Sequence, residues 1–108
     1  MSSLIPLEHP GVILKEEFLE ELELTPYAVS KATGISQTAL SEILKGKRGI
    51  SPQNALKLSK YLGMSESFFI NLQTRYSLDL AKERNEGSLA EIIPFKHKSL
   101  GSKELLEA

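Results

Sequence analysis

Between Thr25 and Gly63 the chain repeats one form of punctuation three times: a hydroxyl residue, a short amphipathic run, then a glycine. The three units are Thr25-Pro26 to Gly34, Ser36 to Gly46, and Ser51-Pro52 to Gly63. A Ser or Thr hydroxyl accepts one of the orphan N–H groups at a helix start, and proline at the first helical position loses no bond. Glycine takes the left-handed conformation that ends a helix. The pattern therefore predicts three short helices in series. The first turns Val29 and Ala32 inward. The second gathers Leu40, Ile43 and Leu44 on one face, with Thr38, Ser41, Glu42 and Lys45 on the other. The third buries Ala55, Leu58 and Leu62.

A longer helix flanks the series on each side. Before it, a helix is expected from Gly11 to Leu22, with Pro10 in the first turn and Leu14, Phe18 and Leu22 recurring at i, i+4. Glu16, Glu17, Glu20 and Glu21 take its wet side. After the series, Ser65 to Arg84 carries a wide apolar stripe of Phe68, Phe69, Leu72, Tyr76 and Leu80. Asn85-Glu86-Gly87-Ser88 reads as a break. Residues 89–95 (LAEIIPF) then read as a short extended segment and a possible strand, with Pro94 marking an edge or an end. The expected organisation is one all-α domain over residues 1–87, with a helix-turn-helix at about 25–45, and a weakly patterned tail over 88–108.

A length of 108 residues leaves no room for a second core of normal size. With no cysteine, disulfides and thiolate metal sites are excluded, as a reducing cytoplasm would favour. The start, MSSLIPLEHPG, has neither a basic leader nor a long apolar run, and no stretch is long enough to span a bilayer. A net charge of −1 argues against a general nucleic-acid binder, but the distribution is uneven. Residues 8–23 carry six Glu and one Lys, whereas residues 24–60 carry five Lys and one Arg against Glu42. The basic middle is the electrostatic footprint of a DNA-binding module, although two solvated helix faces would look the same.

Two helices joined by a glycine turn at Gly34, with Val29, Ile35, Leu40 and Ile43 as an apolar frame, make a helix-turn-helix. Ser30 faces the crossing, where a small side chain permits close approach. The amino end of the second helix then leads into a major groove. Ser36, Gln37, Thr38 and Ser41 are the expected base-reading residues. Gln makes a bidentate contact with adenine, and Ser or Thr can donate or accept. Lys45, Lys47 and Arg48 follow as phosphate contacts, which give affinity and register without sequence information. Glu42 either accepts from a cytosine amino group or pairs with Lys45 one turn on. A generic bundle also has capped helices with polar outer faces, so it is the combination of features that points to DNA.

The middle segment, TPYAVSKATGISQTALSEILKGKRGIS, resembles the Xre-type helix-turn-helix of phage-repressor-like proteins. Its flanks, HPGVILKEEFLEELELTPY and ALKLSKYLGMSESFFINLQTRYSLDLA, are similar to HigA/VapI antitoxins of toxin–antitoxin modules. The resemblance covers residues 9–84. It implies a five-helix, lambda-repressor-like domain forming a homodimer on a partly palindromic double-stranded operator. It further implies a cytoplasmic protein that represses its own operon and neutralises a cognate toxin, in many such modules a RelE-like mRNA endonuclease. The alternatives are a stand-alone phage-type repressor with no toxin, and an interaction domain that has lost DNA binding. Some positions depart from the family pattern. Val12 stands where Glu is frequent, Phe68-Phe69 where a Trp-containing pair is usual, and Ser30 where Ala is usual. Pro26 occupies a position where a repressor side chain often grips phosphate, so Thr25 or the backbone amides of Tyr27 and Ala28 would have to serve.

His9 and His97 have no Cys or carboxylate at metal-ligand spacing and read as surface or capping residues; no metal and no cofactor are expected. The carboxylates of the first helix lie on an exposed face with nothing to tune them, and no enzyme is expected. Glu16, Glu17, Glu20 and Glu21 instead suit attraction of a basic, RNA-gripping toxin, or are simply solvated. One short recognition helix supplies too few base contacts, so a two-fold dimer is expected. Its interface is expected on Phe69, Leu72, Tyr76, Leu80 and Ile92, because that stripe exceeds what a small bundle must bury.

Overall fold

The computed structural model describes residues 8–96; His97 and the rest of the weakly patterned C-terminal end lie outside the described residues. The all-α expectation holds: no strand occurs among the described residues. Helix α1 (Pro10–Ile13) continues into a π-helical stretch (Leu14–Leu19). It is followed by α2 (Pro26–Thr33), α3 (Gln37–Leu44), α4 (Pro52–Leu62), α5 (Phe68–Arg84) and a short α6 (Glu86–Ala90).

The repeated punctuation works as its chemistry dictates. Thr25, Ser36 and Ser51 accept from the N–H groups of Ala28, Ala39 and Asn54 at 3.1, 3.1 and 3.2 Å. Gly34, Gly46 and Gly63 end their helices at φ 81, 76 and 72°. The first helix ends differently. Glu23, not a glycine, takes φ 57°, while Leu24 N–H reaches Leu19 O at 2.8 Å and Glu23 N–H reaches Glu20 O at 3.3 Å. That bond pair is a Schellman cap, held here by a side-chain-bearing residue at a cost of roughly 1 kcal/mol.

The expected i, i+4 stripe of the first helix is corrected by its hydrogen-bond register. Glu20 N–H donates five residues back to Lys15 O, at 2.9 Å. This wide turn delays the helical phase, so Leu14 and Leu19, five apart, are the buried pair. Leu22 is swung out to 55% exposure, and Phe18 remains half-buried. Ala32, expected inward, is exposed on α2. The possible strand at 89–95 does not form. Leu89 N–H closes a helical turn onto Asn85 O at 2.8 Å, and α6 occupies Glu86–Ala90. Residues 91–95 find no neighbouring strand to pair with among the described residues.

Leu14, Val29, Leu40, Ile43, Leu58 and Phe69 form the fully buried centre, each contributing roughly 1.5–3 kcal/mol of apolar burial. Phe18 meets Phe68 and Phe69 with ring centroids 5.8 and 5.2 Å apart, locking the start of α5 over the core. Phe69 therefore leaves the expected dimer-interface set, because a side chain at 0% exposure has no surface to offer a partner. The approach of α1 to α3 is tighter than side chains allow. A Cβ added at Gly11 would lie 1.7 Å from Ile43 O. Glycine at this position is what lets α1 brace the back of α3.

Candidate nucleic-acid interface

The turn between α2 and α3 is fixed by more bonds than the glycine alone would supply. Gly34 N–H donates to Ser30 O at 2.9 Å. The Ser30 hydroxyl donates to Ile35 O at 2.6 Å, and Ile35 N–H donates to the Thr33 hydroxyl at 3.2 Å. The Ile35 side chain is plugged into the core at 3% exposure. A peptide held on its N–H, its carbonyl and its side chain has little freedom, so the direction of α3 is set by local chemistry.

From that direction follows the exposure of the expected probe. Ala39, Leu40 and Ile43 bury one face of α3. Gln37 and Thr38 are exposed at its amino end, and Ser41 and Glu42 are half-exposed one turn on. Gln37, Thr38, Ser41, Glu42, Lys45 and Lys47 line a single open depression. The structure thus brings together three of the four expected base-reading residues with Lys45 and Lys47 of the expected phosphate contacts. Ser36 stands beside them, its Oγ accepting from Ala39 N–H. Its hydroxyl proton remains available to donate.

Of the two sequence-based options for Glu42, the pairing with Lys45 is replaced by one with Arg48. The Glu42 carboxylate accepts from Arg48 Nε at 2.9 Å, with a second guanidinium nitrogen at 2.6 Å. The reason is the left-handed turn at Gly46, which folds the chain back over α3. Lys47 and Arg48 N–H groups both donate to Glu42 O, at 2.8 and 3.2 Å. Both partners are well solvated, so the pair contributes well under 1 kcal/mol and serves to shape the loop. Arg48 is therefore tied to a carboxylate, whereas Lys45 and Lys47 beside it are exposed.

One residue distant in sequence holds this loop, and beside it His9 takes the capping role read for it in the sequence. Gln73, on α5, accepts from Ile50 N–H at 2.7 Å across 23 residues of chain. His9 caps α1, its Nδ1 accepting from Gly11 N–H at 2.9 Å, and its ring meets Tyr76 edge-on at 5.1 Å. The same ring lies beside Gly46, whose added Cβ would sit 3.7 Å away. Burial pushes the His9 imidazole below its usual pKa, which suits a nitrogen that must accept.

Comparison with known proteins adds an independent line. Residues 15–69 match the Helix-turn-helix family. Virulence-associated protein I of Dichelobacter nodosus is 39% identical over 90 residues, covering 83% of this chain and 82% of that protein. The structure of the Pseudomonas aeruginosa antitoxin HigA with higBA promoter superposes with a TM-score of 0.79 at 37% identity, covering 84% of this chain and 100% of the other. The chain belongs to the helix-turn-helix family, as a HigA-type member. Antitoxin HigA-1 of Vibrio cholerae is 35% identical over 75 residues, covering 69% of each chain.

Departures of this HigA-type chain from the family pattern have physical readings in the fold. Ser30 in place of alanine keeps the close crossing and adds the bond to Ile35 O. Beside Pro26, the Ala28 amide is already taken by Thr25 Oγ1, so it cannot grip phosphate. Tyr27 N–H and the Thr25 hydroxyl proton are the donors left, with the Tyr27 ring 58% exposed nearby. Away from α3, Glu16, Glu17, Glu20 and Glu21 are all exposed. Leu72, Tyr76 and Leu80 are half-buried along α5. Beyond them, Leu78, Leu89, Ile92 and Ile93 are 52, 49, 66 and 86% exposed, a larger apolar display than the sequence stripe suggests. Among the described residues no helix is long and apolar enough to cross a membrane.

Proposed function

We propose that this chain is an operator-binding autorepressor and the antitoxin of a toxin–antitoxin pair, working in the cytoplasm without a catalytic step of its own. The observation that carries the DNA reading is the shared depression lined by Gln37, Thr38, Ser41, Lys45 and Lys47. Amide and hydroxyl groups at the protruding end of α3 can address base edges, while the trailing lysines meet the flanking phosphates. Ser36, Thr25 and Tyr27 add donors along the same strand, and Arg48 contributes whichever N–H groups Glu42 leaves. The relative solved with its promoter supports this reading by likeness of fold and sequence.

A homodimer on a two-fold operator follows from the small size of one probe. The exposed apolar residues of α5, α6 and residues 91–95 support a second copy as the cover, with Leu72, Tyr76, Leu80 and Ile92 at its centre. Glu16, Glu17, Glu20 and Glu21 are the proposed attractor for a basic toxin of the RelE-like, RNA-cleaving kind. A stand-alone repressor would share the DNA chemistry and lack that partner.

Titration of a duplex carrying the promoter upstream of its own reading frame tests the DNA reading. Affinity should fall linearly with salt on a log–log plot, because bound phosphates release counterions. Salt-independent binding, or none, would overturn it. Co-expression with the product of the neighbouring reading frame tests the antitoxin reading. Charge reversal at Glu16, Glu17, Glu20 and Glu21 should weaken capture, and unchanged capture would remove that surface.

A further inference from the structure

We infer that Gln73 is a positioning residue for DNA binding, its amide presetting the basic loop between α3 and α4 from α5. Oε1 accepts from Ile50 N–H at 2.7 Å, and Nε2 donates to Ser77 Oγ at 3.0 Å, one turn along the same helix. The amide is thereby held at both ends and cannot rotate without losing a bond. The loop is pressed against it: a Cβ added at Gly49 would lie 3.1–3.3 Å from the three atoms of that amide group.

The loop carrying Lys45, Lys47 and Arg48 is fixed at its first end by the Glu42 carbonyl, which accepts from Lys47 and Arg48 N–H. At its second end Gln73 holds the Ile50 N–H, and the Ile50 side chain is buried at 2% exposure. Released at Ile50, the loop settles away from the position at which Lys47 meets a phosphate, so the contact itself is lost rather than made at a higher ordering cost. Gln73 thus acts through the loop and its lysines, and needs no DNA contact of its own.

The inference rests on the DNA-binding reading, and its test keeps the two apart. Full-length wild type, Gln73→Leu and Gln73→Glu are titrated by fluorescence anisotropy against the promoter duplex and a scrambled duplex of equal length, across a salt series. Gln73→Leu should bind both duplexes roughly 5- to 10-fold more weakly, with their ratio unchanged. Its salt slope should be shallower by about 1, the signature of a lost phosphate contact. Gln73→Glu keeps an acceptor for Ile50 N–H and should keep the wild-type slope. In a Lys47→Ala background, Gln73→Leu should cost little more, since both act on one contact.

Partial unfolding would lower the active fraction and leave the slope where it was, so the slope separates positioning from stability. A wild-type slope in Gln73→Leu, or full additivity with Lys47→Ala, overturns the inference while the DNA reading stands. Failure of wild type to bind the promoter overturns both.

Discussion

Replacing Gly11 by alanine probes the contact that sets α3 against the rest of the fold. The added Cβ would sit 1.7 Å from Ile43 O and 2.7 Å from Ile43 C, both backbone atoms that cannot rotate aside. To reach an ordinary contact of 3.4 Å, α1 and α3 must part by about 1.7 Å. A gap of 0.5–1 Å already forfeits roughly a quarter to a half of a dispersion contact. Leu14, Leu40 and Ile43, all at 1% exposure or less, are core side chains of the first helix and of α3, the elements that would part. Full truncation of such a side chain costs about 2–5 kcal/mol, so partial loss across three of them comes to roughly 3 kcal/mol. For a domain of this size that corresponds to a fall in Tm of roughly 12–20 °C. Gly34→Ala is the matched control. Nothing lies within 4 Å of its added Cβ, so only the left-handed strain at φ 81° applies, about 1 kcal/mol. Thermal unfolding followed by circular dichroism reads both. A Gly11→Ala variant no less stable than Gly34→Ala would refute the close-approach argument.

Three other changes act through single groups. Burial lowers the His9 pKa in the fold below the 6.5 of the unfolded chain, so the unfolded state binds more protons as pH falls through that region and stability drops as pH is lowered. Between about pH 7 and 5.5, His9→Asn, which retains a capping side chain, should show a flatter fall in Tm than wild type; parallel curves would exclude His9 as the source. Glu23→Gly relieves the left-handed strain at φ 57° and should raise stability by about 0.5 kcal/mol in a urea titration, net of the entropy glycine adds to the unfolded chain. A loss there would mean that the Glu23 side chain holds the cap. Ser59 Oγ is fully buried with no hydrogen-bond partner among the described residues, so Ser59→Ala should gain about 1 kcal/mol. A destabilised variant would reveal a partner for the hydroxyl.

Local chemistry explains which parts of this fold are legible in the sequence. Thr25, Ser36 and Ser51 cap within three residues of themselves, and Gly34, Gly46 and Gly63 turn the chain where they stand. Their helices can therefore be bounded from residue type alone. The face of α3 is equally readable, because Leu40 and Ile43 fix inward and outward by period. Leu22 escapes the periodic reading because a π turn depends on which hydrogen-bond register the neighbouring helices favour, and no residue type announces it. Residues 89–95 read as a possible strand because Ile92 and Ile93 favour that state, but strand formation needs a partner, and the described residues offer none. Glu42–Arg48, Gln73–Ile50 and Gly11–Ile43 are contacts made by the folded chain after Gly46 has turned it back or α5 has closed over it. Side-chain periodicity carries no record of them.

The division of labour on α3 is the central claim, and a paired titration tests it most directly. Gln37→Ala and Lys47→Ala are each measured against the promoter duplex and a scrambled duplex over a range of salt. Gln37→Ala should lose about 1–3 kcal/mol on the promoter alone and keep the wild-type salt slope. Lys47→Ala should weaken both duplexes alike and flatten the slope by about 1. If Gln37→Ala leaves the preference for promoter over scrambled DNA intact, α3 is not the element that reads the bases.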